Sequence, residues 1–378
     1  MSTLNGGHLL QRDVPNRPTN DRVDPHRQAA PAANNLCLVQ RYHRRMAGSN
    51  ELKSSDPRRK SADDNLAEDN FPEINRAYYA AEPADYFEQR LNNLLVAAGN
   101  PDGRAELIRK GGEFGELKFG EASGGKPDPA DTPSSKAVEH FVLAETEVLA
   151  HHVGETLLRL YFAHEKLPPC PALELARVRS PAKFKQMVRT RFLDSAYDDR
   201  GYRATISKVF HLVADPSHVR PDPGVDKWWD SVDNIELFLR HFASDFVEAG
   251  LYNSAKHGMA LTPTEFGFKF GDSELTQRHG PAIYHLEQRT DRKSGKARWF
   301  STYHWVSTDR QAAMTFMGIK MIRVLWRNAR LRYTEQNVTG AEFHFFDEPR
   351  FDQVMSATNK RGVEWTTMSI GLLYWKDQ

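Results

Sequence analysis

The sequence predicts an α+β fold in three parts: a disordered N-terminal arm, a helical bundle, and a smaller, mostly antiparallel α+β domain. Three observations predict it. Phe, Trp and Tyr number 21, 7 and 12, yet only Tyr42 falls within residues 1–70. Apolar residues then recur at helical spacing through several long segments up to Gly258. After Pro263 the period changes to the alternation of strands, beginning with Phe266, Phe268 and Phe270. A chain of 378 residues exceeds one ordinary domain. The expected division is an arm over 1–70, a helical domain over 71–260 and an α+β domain over 261–378.

The arm is rich in Asn, Asp, Arg, Pro and Ser, and buries too little apolar surface to offset the entropy of ordering it. It reads either as a genuine tail or, in part, as sequence upstream of a start at Met46. From Asp85 to Ala98, the residues Phe87, Leu91, Leu94, Leu95 and Ala98 form a helical stripe that stops at Gly99-Asn100-Pro101. Residues 111–135 are rich in Gly and Pro with little periodicity and read as a long loop. There Gly124-Gly125-Lys126 runs into Pro127, not Ser or Thr, so it is no P-loop.

Ser134 or Ser135 opens the longest helix, which runs to Glu165 with Val142, Leu149, Val153, Leu157, Leu160 and Tyr161 on its apolar face. Leu167-Pro168-Pro169-Cys170-Pro171 ends it. A second helix is expected over 181–193, with Pro181 in its first turn after Ser180. Asp230 or Ser231 then opens a helix reaching His257 and stopping at Gly258. Beyond it, strands over Ala282–Thr290 and Ala297–Ser307 flank a polar turn and make a hairpin over 282–307, with Trp299, Tyr303 and Trp305 on one face. Thr308-Asp309-Arg310-Gln311 is a capping box for a helix to about Tyr333. Phe343 and Phe345, and then Glu364 to Trp375, read as further strands.

Composition excludes several classes of function. Lys and Arg total 51 against 50 Asp and Glu, so no general pull toward nucleic acid exists. Cys37 and Cys170 cannot build a disulfide framework and neither sits in a CxxC pair, which points to a reducing cytoplasm. The best apolar stretch, Met314 to Trp326, is broken by Lys320 and Arg323, so no membrane span is expected. The first thirty residues lack the apolar core of a secretory signal. No GxSxG, Walker A, GxGxxG or HExxH pattern occurs, and no cofactor is expected. His151 and His152 with Glu155 could begin a metal site, or be ordinary partly buried side chains; further ligands cannot be named, and no metal is expected.

The most suggestive stretch runs from Leu251 to Gly258. Upstream, Ile235, Phe238, Phe242, Phe246 and Ala249 recur at helical spacing, and the same line continues through Asn253 and His257. Two polar side chains spaced i, i+4 therefore fall on a buried stripe. A structural reading also exists, because Lys256-His257-Gly258 is what a helix C-terminus favours. Over residues 136–258 the chain resembles the HEPN superfamily of small helical bundles, whose signature is Arg, a polar residue often Asn, three variable residues, then His. In the window Tyr252-Asn253-Ser254-Ala255-Lys256-His257, Asn253 and His257 match, and Tyr252 stands where Arg is expected. The resemblance implies metal-independent RNA cleavage in cellular defence or as a toxin, with paired motifs meeting across a homodimer. It implies His257 as general acid and base, which an ordinary pKa of about 6.5 suits. Asn253 would orient the phosphate or ribose, and Tyr252 occupies the place of a guanidinium it cannot replace. The alternative is a non-catalytic interaction or nucleic-acid-binding module. Arg159/His164, Arg278/His285 and Arg298/His304 also fit the Arg-to-His spacing, as chance allows.

Two basic features complete the reading. Residues 177–191 carry Arg177, Arg179, Lys183, Lys185, Arg189 and Arg191 with no acid among them. On the last helix Lys320, Arg323, Arg327 and Arg330 form one stripe, with Trp326 and Tyr333 near enough to stack bases. Such a stripe either tracks phosphates or is a solvated face whose cations lie near acids elsewhere.

Overall fold

A computed structural model describes residues 66–114, 116–119, 121, 134–194, 199–212, 225–248, 262–269, 277–290, 295–334 and 367–371. Its axis is helix α4, Ser135–Glu165, and the elements before it are α1 (Phe71–Tyr78), α2 (Pro83–Gly99), α3 (Pro101–Lys110) and the short hairpin β1 (Gly112–Phe114) and β2 (Leu117–Phe119). Ser134 caps α4 by accepting from the Ala137 N–H at 3.2 Å. The six residues expected on its apolar face, Val142 to Tyr161, are all buried. Its exit is abrupt. Leu167 takes φ 50, a left-handed conformation, ahead of the paired prolines that cannot continue a helix.

Two short stretches depart from the sequence reading. Gly99-Asn100-Pro101 ends α2 but also starts α3: the Asn100 side chain accepts from the Gly103 N–H at 2.9 Å, and Pro101 sits in the first turn. The expected loop over 111–135 contains the β1–β2 hairpin in its first residues. After α4 come α5 (Pro171–Arg177), α6 (Pro181–Val188) running into a π-helical turn over Arg189–Leu193, α7 (Asp199–His211) and α8 (Val225–Glu248). α8 begins at Val225, ahead of the expected Asp230, and its Trp228 is fully buried with the indole N–H donated to Ser207 at 2.9 Å.

The sheet is antiparallel in the order β3 (Thr262–Lys269), β4 (Gln277–Thr290), β5 (Ala297–Trp305) and β6 (Thr367–Gly371). Its register pairs Ile283 with His304 and His285 with Thr302, so these four share a face. Ile283 on that face packs against Leu143 of α4. On the opposite face Phe266 stacks on Tyr303 with ring centroids 3.7 Å apart. The hairpin expected over 282–307 is present, with β4 starting earlier.

Helix α9, Thr308–Thr334, is capped one residue upstream of the expected box: the Ser307 hydroxyl accepts from the Arg310 N–H at 3.4 Å, and the Ser307 carbonyl from the Gln311 N–H at 3.0 Å. The sequence groups α9 with the hairpin in a domain over 261–378. Its packing is different. Met314, Met317, Met321, Ile322 and Leu325 enter the same core as Leu149, Val153 and Leu157 of α4, and Ala67–Gln378 forms one unit. Three helices meet at one side chain, Phe242 of α8. A Cβ on Gly154 of α4 would come within 2.8 Å of its ring, and one on Gly318 of α9 within 2.9 Å, so both glycines serve close helix approach. The physical reason for the different grouping is that an apolar helix face goes to the largest complementary surface, not to its neighbour in sequence. The α+β class stands. Of the expected disordered arm over 1–70, residues 1–65 lie outside the described residues and Glu68–Asn70 form a 3-10 turn; the strand at Phe343 and Phe345 and the end of the helix reaching His257 also lie outside the described residues. No helix among the described residues is long and apolar enough to cross a membrane.

Candidate functional site

Between α4 and α8 a small cavity is lined by Ala150, His151, Gly154, Phe242, Asp245, Phe246 and, from the start of α9, Gln311. Around it ionisable groups converge from both helices, from α9 and from the sheet. His151 Nε2 lies 3.1 Å from Glu147 Oε1, one helical turn away, with the two side chains only 8% and 9% exposed. The other Glu147 oxygen has no hydrogen-bond partner among the described residues. Burying an unsatisfied acceptor of this kind costs about 1–3 kcal/mol.

Asp245 sits across the cavity. Burial holds its carboxyl above the ordinary range, and Glu147 adds to that; Arg310, His151 and His241 oppose it. His241, one turn earlier on α8, is pushed down by burial against the pull of Asp245. From the sheet side come His285 and His304, stacked with centroids 5.0 Å apart and planes 9° from parallel. Burial and then the His285 charge lower His304 to about 4, while Glu147 works in the opposite sense. Both ring nitrogens of His285 are buried without a hydrogen-bond partner among the described residues, and burial lowers this imidazole too.

This arrangement separates proton affinities. A carboxyl held above its ordinary range, Asp245, lies beside an imidazole held below its own, His241, which is the kind of pairing general acid–base chemistry uses. Arg310 of α9, with its Nε buried and unpartnered among the described residues, supplies the fixed positive charge. Among the described residues no three His, Cys, Asp or Glu side chains come together as a metal site. The side chains that suggested one diverge: His151 faces Glu147, His152 Nδ1 accepts from Arg90 at 3.1 Å, and Glu155 accepts from Arg159 at 2.8 Å.

Of the residues singled out by the sequence, Tyr252, Asn253 and His257 lie outside the described residues. The stripe leading to them is present as far as α8 extends: Ile235, Phe238 and Phe242 are buried and Phe246 is half-buried. The basic stripe on α9 needs correction. Arg323 is not available to phosphates, because its guanidinium, 14% exposed, donates to Glu82 at 2.7 Å and to Asp85 and Glu88 at 2.8 Å. Hydrogen bonds to these carboxylates push its pKa further up and hold that of Glu88 down. Arg327 lies 3.5 Å from Glu82, and Lys320 sits over the Phe316 ring at 5.2 Å; Arg330 is exposed. Trp326 and Tyr333 are not base-stacking platforms either. Trp326 packs against Tyr78 and Tyr79 at 4.8 and 4.9 Å, and Tyr333 stacks on Tyr79 at 6.0 Å. The stripe is thus largely one wall of an interface with the acidic start of α2, which linear spacing cannot reveal.

The chance match Arg159/His164 is structural. Arg159 donates to the Val178 carbonyl at 3.1 Å and covers Phe184 at 4.3 Å. His164 is tied at both nitrogens: Nδ1–H donates to the Leu160 carbonyl at 2.6 Å, leaving Nε2 to accept from the Tyr79 hydroxyl at 2.6 Å.

Sequence reasoning missed Glu147, His241, Asp245 and Arg310. A signal existed for two of them. Glu147 precedes the buried His151 by four residues in an otherwise apolar helix, and Asp245 follows Phe238 and Phe242 on their own stripe. An acid on a core-facing line is the informative exception to apolar burial. The positions of His304 and Arg310 beside them depend on the sheet and α9 docking onto α4, for which no local signal exists. Comparison with protein-family models, with curated proteins and with solved structures gives no match to this chain.

Proposed function

We propose that the protein is a HEPN-like, metal-independent endoribonuclease acting in the cytoplasm, in cellular defence or as a toxin, and working as a homodimer. His257 is the general acid and base, and Asn253 orients the phosphate or ribose. The observation that supports this reading most is the acid–histidine cavity between α4 and α8: Asp245, a half-buried carboxyl held above its ordinary range, belongs to the segment of sequence that leads to Asn253 and His257. Cleavage of RNA without metal needs a base to deprotonate the 2′-hydroxyl and an acid to protonate the departing 5′-oxygen. Asp245, whose carboxyl burial holds above its ordinary range, would supply a second proton donor to that chemistry. Arg310, with its Nε buried, supplies a fixed charge that little water screens.

Tyr252 at the place of the expected Arg favours a second reading, a non-catalytic interaction module built on the same bundle. One experiment separates the two. Purified protein is incubated with total RNA under chelator beside His257→Ala and Asp245→Asn. The ribonuclease reading expects fragments from wild type, none from His257→Ala, and a loss of about tenfold or more in Asp245→Asn. Equal cleavage by wild type and His257→Ala, or none by wild type, overturns it.

A further inference from the structure

The basic run 177–191 divides sharply once its partners are visible. Arg177 is paired with Glu174, and Arg191 is buried, donating to Glu165 at 2.8 Å and to the Tyr161 hydroxyl at 2.7 Å while covering Tyr202 at 4.2 Å. Arg179, Lys183, Lys185 and Arg189 have no carboxylate partner among the described residues; Arg179 donates only to the Ala176 carbonyl, at 3.3 Å. Two surface arginines elsewhere on the helices sit beside acids, Arg203 with Asp233 and Arg240 with Glu236, while Arg330 on α9 is exposed.

Helix geometry arranges these cations in two rows. α6 buries Phe184 and Val188, which turns the opposite side outward. Lys183 flanks that outward side on one edge and Lys185 with Arg189 on the other, with Gln186 between them; Met187, 39% exposed, lies beyond Lys183 toward the core. Lys185 and Arg189 are like charges at i, i+4, a spacing that costs helix stability unless something anionic lies across it. The Phe184 ring anchors α6 edge-on to Phe246 at 5.2 Å, and Phe246 lines the acid–histidine cavity. The cationic helix therefore adjoins the candidate site.

We propose that α6 and the π-helical turn after it form a binding surface for the phosphate backbone of single-stranded RNA, with Arg179, Lys183, Lys185 and Arg189 as the phosphate contacts. The polyanion is argued from the unpaired cations alone; that it is RNA rests on the ribonuclease reading. A membrane surface fits less well, because the apolar side of α6 is spent on the core and only Met187 and Leu193, 39% and 41% exposed, remain for insertion.

The test uses the full chain and a fluorescent 2′-O-methyl RNA oligonucleotide, which lacks the attacking hydroxyl, so that cleavage does not enter. Anisotropy titrations at several salt concentrations should give a log–log slope of about −3 for four neutralised phosphates. Lys183→Gln, Lys185→Gln and Arg189→Gln together should flatten the slope by about 2, and Lys183→Gln alone by about 0.7. Lys320→Gln with Arg330→Gln on α9 should leave it unchanged, and circular dichroism should show every variant folded. A slope unaltered in both the triple and the single variant, or flattened equally by the α9 pair, overturns the surface. So does binding to phosphatidylserine vesicles without binding to the oligonucleotide. Because the 2′-O-methyl oligonucleotide cannot be cleaved, a failure of catalysis leaves this outcome readable, and loss of binding with cleavage intact overturns the surface alone.

Discussion

Two buried histidines on the same long helix live in opposite circumstances. His164, near the C-terminal end of α4, has both nitrogens within 2.6 Å of a partner, and aromatic rings of Tyr79 and Tyr333 surround it. Burial lowers it to about 4, so it is a neutral imidazole of fixed tautomer. His151, in the middle of the helix, faces a cavity and a carboxylate whose second oxygen is unsatisfied among the described residues. The first environment is saturated and holds structure together. The second holds one Glu147 oxygen without a hydrogen-bond partner among the described residues, at a cost in stability. Saturation, more than burial or a shifted pKa, separates the two.

The largest test of that contrast is acid. Above pH 6.5 His164 and His304 are neutral in both folded and unfolded chains and contribute no pH dependence. As pH falls from 6.5 toward about 4, only the unfolded chain takes up these protons, so stability is lost. Each histidine accounts for on the order of 3 kcal/mol across that window. Thermal midpoints by circular dichroism should fall steadily below pH 6.5, and His304→Asn should make that fall shallower. A flat profile from pH 7 to 4 would contradict burial of both rings.

Substitution sharpens the comparison next. His164→Ala empties a packed site and orphans the Tyr79 hydroxyl, with an expected loss of about 3 kcal/mol in urea denaturation. His151→Ala, opening onto an existing cavity, should cost about 1 kcal/mol. Equal costs would erase the distinction between the two sites. The smallest effect has the opposite sign. Asp245→Asn relieves a carboxyl that burial resists ionising, and should raise stability at neutral pH by about 1 kcal/mol. Below pH 3.8, where the unfolded carboxyl is itself protonated, the gain should vanish. A variant less stable than wild type at pH 7 would make Asp245 a structural residue.

Helix positions were legible because their signals are local. The Ser134 cap, the paired prolines and the alternation in the hairpin all act within a few residues, and α4 and the hairpin appear there, with β4 starting earlier than its alternation suggests. Where local signals served two purposes, reading them failed: Asn100-Pro101 stops one helix by starting another. The candidate site was less legible. His151 drew attention beside His152, although the two point to different partners, since adjacent helical residues diverge by about 100°.

By itself the sequence determined the α+β class, the long central helix, the hairpin and the absence of any membrane-length apolar helix among the described residues, because periodicity and turn chemistry are encoded within each segment. Tertiary structure alone decided which charges are spent and which remain. Arg323 and Arg189 look alike in the sequence, yet one is clamped by three carboxylates from more than two hundred residues away and the other stands without an acid among the described residues. A side chain's charge is local, but its neutralisation depends on which helix docks beside it, and that follows from burial of apolar faces across the whole core.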